Sequence, residues 1–205
     1  MDIIGSIILA LLTVVATSLD EVILLAMFYG TVPADPYGTD RRRAIGRGYI
    51  VGSILAIMIS ATVSLGLVQI PDHSLLSWIG LIPIIMGVYS LIRPKGQKDE
   101  LEVAGTVAEH TSGLAPTLQF VILALVLSVD DFGVYIPLLT SMVLGEALIM
   151  IITAIICVFI IAMIGRRISD ISSVKRILDK VERWLVPVLF IAIGAYTVLD
   201  GQIGL

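Results

Sequence analysis

The chain has 205 residues, of which 58% are hydrophobic and 15% charged; soluble domains average about 45–50% apolar, so a purely soluble fold is excluded. A formal net charge of -4 leaves no basic footprint for nucleic acid, and a mean hydropathy of +1.04 points to a bilayer. The single cysteine, Cys157, rules out an intrachain disulfide and a cysteine-rich metal site.

These figures predict an all-α membrane protein forming a single transmembrane domain over residues 1–205. Each span needs about 20 apolar residues, and hydropathy predicts six, at 3–29, 46–69, 75–92, 117–143, 146–164 and 184–203. The opening Met1-Asp2 lacks the basic n-region of a signal peptide, and the first apolar run exceeds an h-region, so it is expected to stay in place as a helix.

Span 1 carries Thr17-Ser18-Leu19-Asp20-Glu21 in its middle, two adjacent carboxylates inside an apolar run. The following loop holds Arg41, Arg42, Arg43 and Arg47, and span 2 opens with Gly48 and Gly52, a GxxxG pair suited to close packing within one chain or between two copies. That leaves a homodimer open. Span 3 contains Pro83 and Gly87-Val88-Tyr89-Ser90-Leu91.

The 93–116 segment holds Arg93, Lys95 and Lys98 with Asp99, Glu100, Glu102, Glu109 and His110. It reads as a polar cytoplasmic linker, with a metal-capturing antechamber as the alternative. Span 4 carries Ser128-Val129-Asp130-Asp131, then Gly133, Tyr135 and Pro137. Beyond span 5 lie Arg166, Arg167, Lys175, Arg176, Lys180 and Arg183, in a stretch with Ile168, Ile171, Val174, Ile177, Leu178 and Val181 at helical spacing, which predicts a helix lying along the membrane surface. Span 6 repeats the span 3 pattern with Pro187 and Gly194-Ala195-Tyr196-Thr197-Val198.

All thirteen Lys and Arg residues thus fall between spans 1 and 2, 3 and 4, or 5 and 6. With six spans those loops share one side, and the positive-inside rule places them in the cytoplasm and both termini outside the cytoplasmic membrane. Trp78 and Trp184 open spans 3 and 6 at opposite faces, as interfacial aromatics do.

The acidic motifs of spans 1 and 4, and the Gly-x-Tyr motifs of spans 3 and 6, recur in the same order at nearly one offset. This predicts duplication of a three-helix unit, 1–92 and 117–205. Three is odd, so the halves would be inverted repeats, an architecture that sets the substrate site near the midplane between them.

A carboxylate facing lipid is costly, and no Lys or Arg lies inside any span, Arg47 standing at the very mouth of span 2, to neutralise Asp20, Glu21, Asp130 and Asp131. The counter-charge must be a cation, a proton or both. Adjacent helical residues point about 100° apart, so all four acids converge only if the helices are irregular. The length of span 1, and Pro137 acting back toward Gly133, leave room for a break. There Thr17, Ser18 and Ser128 would add hydroxyl oxygens, with Tyr135 one turn beyond Asp131. Such an oxygen set suits Mg²⁺, Mn²⁺ or Ca²⁺. Crowded carboxylates resist ionising together, so the same groups can take protons when the metal leaves. No phosphate-binding G-x-x-x-x-G-K-[ST] segment suggests an ATPase.

"TSLDEVILLAMFYG", "GLIPIIMGVYSLI" and "LSVDDFGVYIPLL" together resemble the CadD-type cadmium resistance transporters of the lysine-exporter superfamily. The resemblance implies export of a divalent metal across the cytoplasmic membrane, with Asp20, Glu21 and Asp130 on the family's acidic positions. Where the family's second motif usually reads Gly-Asp-Asn, this chain has Ser128 and Asp131 around the shared core, and the added carboxylate makes the site harder than cadmium needs.

The expected function is therefore a secondary transporter exporting Cd²⁺, Mg²⁺, Mn²⁺ or Ca²⁺ in exchange for protons. Its partners would be the metal, protons and lipid, with no cofactor and no nucleic acid. An amino-acid or small-metabolite exporter would need cationic or neutral character in the spans, which they lack. An intramembrane aspartyl protease would use two aspartates but also Tyr-Asp and Gly-x-Gly-Asp motifs, absent from this sequence.

Overall fold

The computed structural model describes residues 3–32, 39–69, 81–92, 97–168, 186–195 and 197–198; a few residues inside these helices, Asp20 among them, are described by backbone alone. Among the described residues all regular structure is helical. The elements are α1 (Ile3–Thr31), α2 (Thr39–Val68), α3 (Leu81–Ile92), α4 (Gln97–His110), α5 (Pro116–Leu127), α6 (Val129–Ser141), α7 (Leu144–Ile168) and α8 (Val186–Ala195).

Thr39–Val68 and Leu144–Arg167 are each long and apolar enough to cross a bilayer, and α5 with α6 makes a third crossing if this pair, bent by 60°, is one span. α1 runs 29 residues through the predicted first span. α3 and α8 are short apolar helices on the described parts of the predicted third and sixth. Trp78, Trp184, Tyr196 and the predicted surface helix over 169–183 lie outside the described residues.

Two boundaries differ from expectation. α2 starts at Thr39, so Arg41, Arg42, Arg43 and Arg47 ride on its first turns and not in a loop. Asp40 sits in the first turn, where the helix dipole favours an acid, and Arg43 bonds to it at 3.4 Å. The 93–116 linker is largely the helix α4, which packs on α5 and buries Ala104. Its Leu, Glu, Ala and Lys residues are strong helix formers, and burying one face gives the helix a hold that a solvated linker would lack.

α1 packs along α7, while α2 packs along α5, α6 and α7. The α2–α5 contact explains the GxxxG pair. A Cβ on Gly48 would stand 2.8 Å from the Thr117 carbonyl oxygen, and one on Gly52 would stand 2.9 Å from the Val121 carbonyl oxygen. Backbone meets backbone there, so the pair is used within the chain. Gly165 of α7 similarly admits Leu25 of α1, and Gly87 of α3 meets the Pro187 carbonyl and Ile191 of α8.

The core contains Ile23, Ile45, Val134, Leu138 and Met150. The outer faces are apolar as well. Ile152, Ile156, Phe159 and Met163 follow one another along α7, each at least half exposed, at 56%, 55%, 50% and 61%. A continuous apolar exterior of this kind suits hydrocarbon and not water. Arg42 stacks over the Tyr29 ring at 5.7 Å, and Arg166 acts on the same tyrosine, so basic residues of α2 and α7 gather at one end of the helices.

Candidate functional site

α1 stays helical through Thr17-Ser18-Leu19-Asp20-Glu21, so the expected unwinding of span 1 does not occur. No proline falls in α1, and its glycines stand near its ends, leaving nothing to end the backbone ladder. Thr17, Ser18 and Glu21 share one inward face, with Thr17 and Ser18 buried. Asp20 is the next residue round the helix, and its side chain lies outside the described residues.

Span 4 does break, but not at Pro137. The bend falls at Ser128, between α5 and α6, where φ is -80° and ψ is 11°. The Ser128 amide still donates to the Ala124 carbonyl at 2.9 Å, so α5 ends on a satisfied bond. α6 then begins afresh with Asp130 and Asp131 in its first turn, where free N–H groups favour acids. Pro137 lies inside α6 and is fully buried. Its lost hydrogen bond does not end the helix, because α6 is buried on both sides of it, at Val134 and Tyr135 before and at Leu138 and Leu139 after.

Between α1, α2, α6 and α7 lies a cavity of about 10 Å³, close to the room one water needs. Its polar lining is Thr17, Ser18, Glu21, Ser53, Asp131 and Tyr135; Val14, Ala56, Ile57 and Val158 complete the wall. None of the described lining residues is basic. Asp130, about 100° round α6 from Asp131, is not part of the wall yet lies close enough to Glu21 to act on its charge.

Tyr49 of α2 donates its phenolic hydrogen to Glu21 Oε2 at 2.7 Å. That is the short distance of a charge-assisted bond. Thr17 Oγ1 and Tyr135 Oη approach to 3.4 Å, a far weaker contact. The Ser128 hydroxyl sits near the Glu21 carboxylate, but its oxygen, like that of Ser53, is buried without hydrogen-bond geometry to any group.

The structure therefore brings Glu21, Asp131, Thr17, Ser18 and Tyr135 to one cavity and sets Asp130 and Ser128 beside it. Among the described residues, no three acidic, histidine or cysteine side chains converge as a metal-holding group. Glu102, Glu109 and His110 are exposed on α4, and His110 Nδ1 meets its own helix at the Thr106 carbonyl, 2.8 Å away. They do not form an antechamber cluster.

Sequence reasoning missed Tyr49 and Ser53. A signal was present: each follows a glycine of the GxxxG pair by one residue, so each sits at the edge of a face bound to be buried.

Apolar helices with an apolar exterior, closed around a cavity of carboxylates and hydroxyls, make this a multi-pass membrane protein. The family model for cadmium resistance transporters matches residues 14–203, and the chain belongs to that family. Searches of curated proteins and of solved structures each found no match.

Proposed function

We propose that the protein is a secondary transporter that exports a divalent metal cation across the cytoplasmic membrane in exchange for protons. Six spans form two inverted three-helix halves, 1–92 and 117–205, joined through 93–116, with the basic segments cytoplasmic and both termini outside. The pairing of helices supports the repeat. Exchanging span 1 with span 4 and span 2 with span 5 turns the α1–α7 contact into the contact between α5–α6 and α2, and both contacts are extensive.

The observation that carries the reading is the cavity itself, which Glu21 and Asp131 from the two acidic motifs line together, with hydroxyl and apolar groups and no basic residue among the rest of its described lining. In this reading Asp20, Glu21, Asp130 and Asp131 supply charge, while Thr17, Ser18, Ser128 and Tyr135 supply neutral oxygen. Such donors favour Mg²⁺, Mn²⁺ or Ca²⁺ over a soft ion, with Cd²⁺ carried through its similar charge and size. When the metal leaves, protons replace it on the carboxylates, which couples the two fluxes.

The test is purified protein in proteoliposomes with an imposed pH gradient and a panel of divalent metals. Metal-dependent proton flux is expected, lost in Glu21→Gln and Asp131→Asn at unchanged insertion. Wild-type vesicles without that flux, or full flux in both variants, would overturn the reading.

A further inference from the structure

Serine and threonine within apolar helices commonly return their hydroxyl to the carbonyl one turn back, since hydrocarbon offers no other acceptor. This chain does so repeatedly. Thr13 donates to the Leu9 carbonyl at 2.8 Å, Ser60 to Ala56 at 2.9 Å, Thr140 to Ile136 at 2.6 Å and Thr197 to Ile193 at 3.0 Å.

Ser53 does not. The residue is 3% exposed, its Oγ has no hydrogen-bond partner, and it lines the cavity that holds Glu21 and Asp131. The nearby Tyr49 phenol gives its hydrogen to Glu21, so it can at most accept from Ser53, and the lone pairs of Ser53 Oγ are left without a donor. A buried, unsatisfied hydroxyl is costly. The cost is recovered if something that enters the cavity accepts the oxygen's lone pairs.

Resting on the export reading above, we infer that Ser53 is a direct ligand of the transported cation and helps to set which metal is accepted. It brings a neutral hard oxygen from α2, a helix that carries neither acidic motif. Hard divalent cations take roughly six to eight oxygens, more than the two carboxylates on the cavity wall can offer. A hydroxyl adds coordination without adding a charge that would have to be neutralised after release. Its oxygen also favours Mg²⁺ and Mn²⁺ over the softer Cd²⁺.

The assignment predicts a change of preference when the donor atom changes. Ser53→Cys places a soft sulfur where the oxygen was, and in proteoliposomes the ratio of Cd²⁺ to Mn²⁺ uptake rises by about tenfold or more, the scale on which metal-site changes act. Ser53→Thr keeps the hydroxyl and the wild-type ratio. Ser60→Cys is the matched control, because Ser60 is as deeply buried but its hydroxyl is already bonded to Ala56.

An unchanged ratio in Ser53→Cys, or an equal rise in Ser60→Cys, overturns the assignment. Should Ser53→Cys fail to insert, Ser53→Ala must lose Mn²⁺ uptake more than Ser60→Ala does; equal losses overturn it too. Wild-type vesicles that move no divalent metal would remove the export reading and this ligand with it, whereas metal uptake with an unshifted ratio removes Ser53 alone.

Discussion

Replacing Tyr49 with phenylalanine removes one O–H and little else. The residue is buried and the ring is kept, so packing against neighbouring helices is nearly unchanged, and the loss is the 2.7 Å bond to Glu21 Oε2. Hydrogen bonds to charged groups contribute about 1.5–3 kcal/mol. At about 1.4 kcal/mol per tenfold, that corresponds to about a tenfold to hundredfold weaker hold on metal, if the bond is what keeps Glu21 charged and aimed into the cavity. Without it the carboxylate turns away or takes a proton, and both compete with the cation. The assay is metal uptake against concentration in proteoliposomes at several pH values. The half-saturation rises on that scale, the maximal rate is largely retained, and the defect is greater at acid than at alkaline pH, because protons compete. An unchanged half-saturation, or a defect that ignores pH, would refute the assigned role of Tyr49.

Tyr135→Phe separates structure from binding: the 3.4 Å approach to Thr17 is long for a hydroxyl pair, so less than about 1 kcal/mol of stability is at stake and the thermal midpoint in detergent hardly moves, while the half-saturation for metal rises because an oxygen ligand is lost. Gly48→Leu forces a side chain against the Thr117 carbonyl and Phe120, costing about 1–3 kcal/mol or more because backbone cannot step aside; thermal unfolding in detergent shows a lowered midpoint, while Gly66→Ala, facing open space, shows none. Cys157→Ser keeps uptake and metal preference, since Val158 and not Cys157 lines the cavity; selective loss of Cd²⁺ uptake would place a sulfur ligand in the site.

Hydropathy located the long helices α2 and α7 well, because burial in hydrocarbon is a composition effect summed over many residues. The break in span 4 was legible in kind but not in place. Pro137 is the residue that sequence reasoning notices, yet one missing hydrogen bond is tolerated in a helix held on both sides. Ser128 ends α5 instead, and Ser128-Val129-Asp130-Asp131 has the pattern of a helix start, two acids in the first turn behind a serine, although the Ser128 hydroxyl makes no capping bond. Ser18-Leu19-Asp20-Glu21 has the same form and starts nothing. There Thr17 and Ser18 are buried inside an unbroken helix packed along α7. Tertiary packing decides between the two outcomes, and that information is spread over other helices. For the same reason the third wall of the cavity stayed hidden: Tyr49 and Ser53 acquire meaning only once α2 is laid against α1.

The glycine contacts bear on how the chain is made. Gly48 and Gly52 rest on Thr117 and Val121, and Leu25 rests on Gly165, so these close approaches join an early helix to a late one. The first half leaves the ribosome without the surfaces it fits most tightly, and α2 must wait in the bilayer, its glycine face unmatched, until α5 has been inserted. A truncated product ending after α3 would keep the Tyr49 bond to Glu21 but lack Asp131, Tyr135 and Val158, the α6 and α7 walls of the cavity. The cavity and the stability of the molecule are thus completed in the same late event of synthesis.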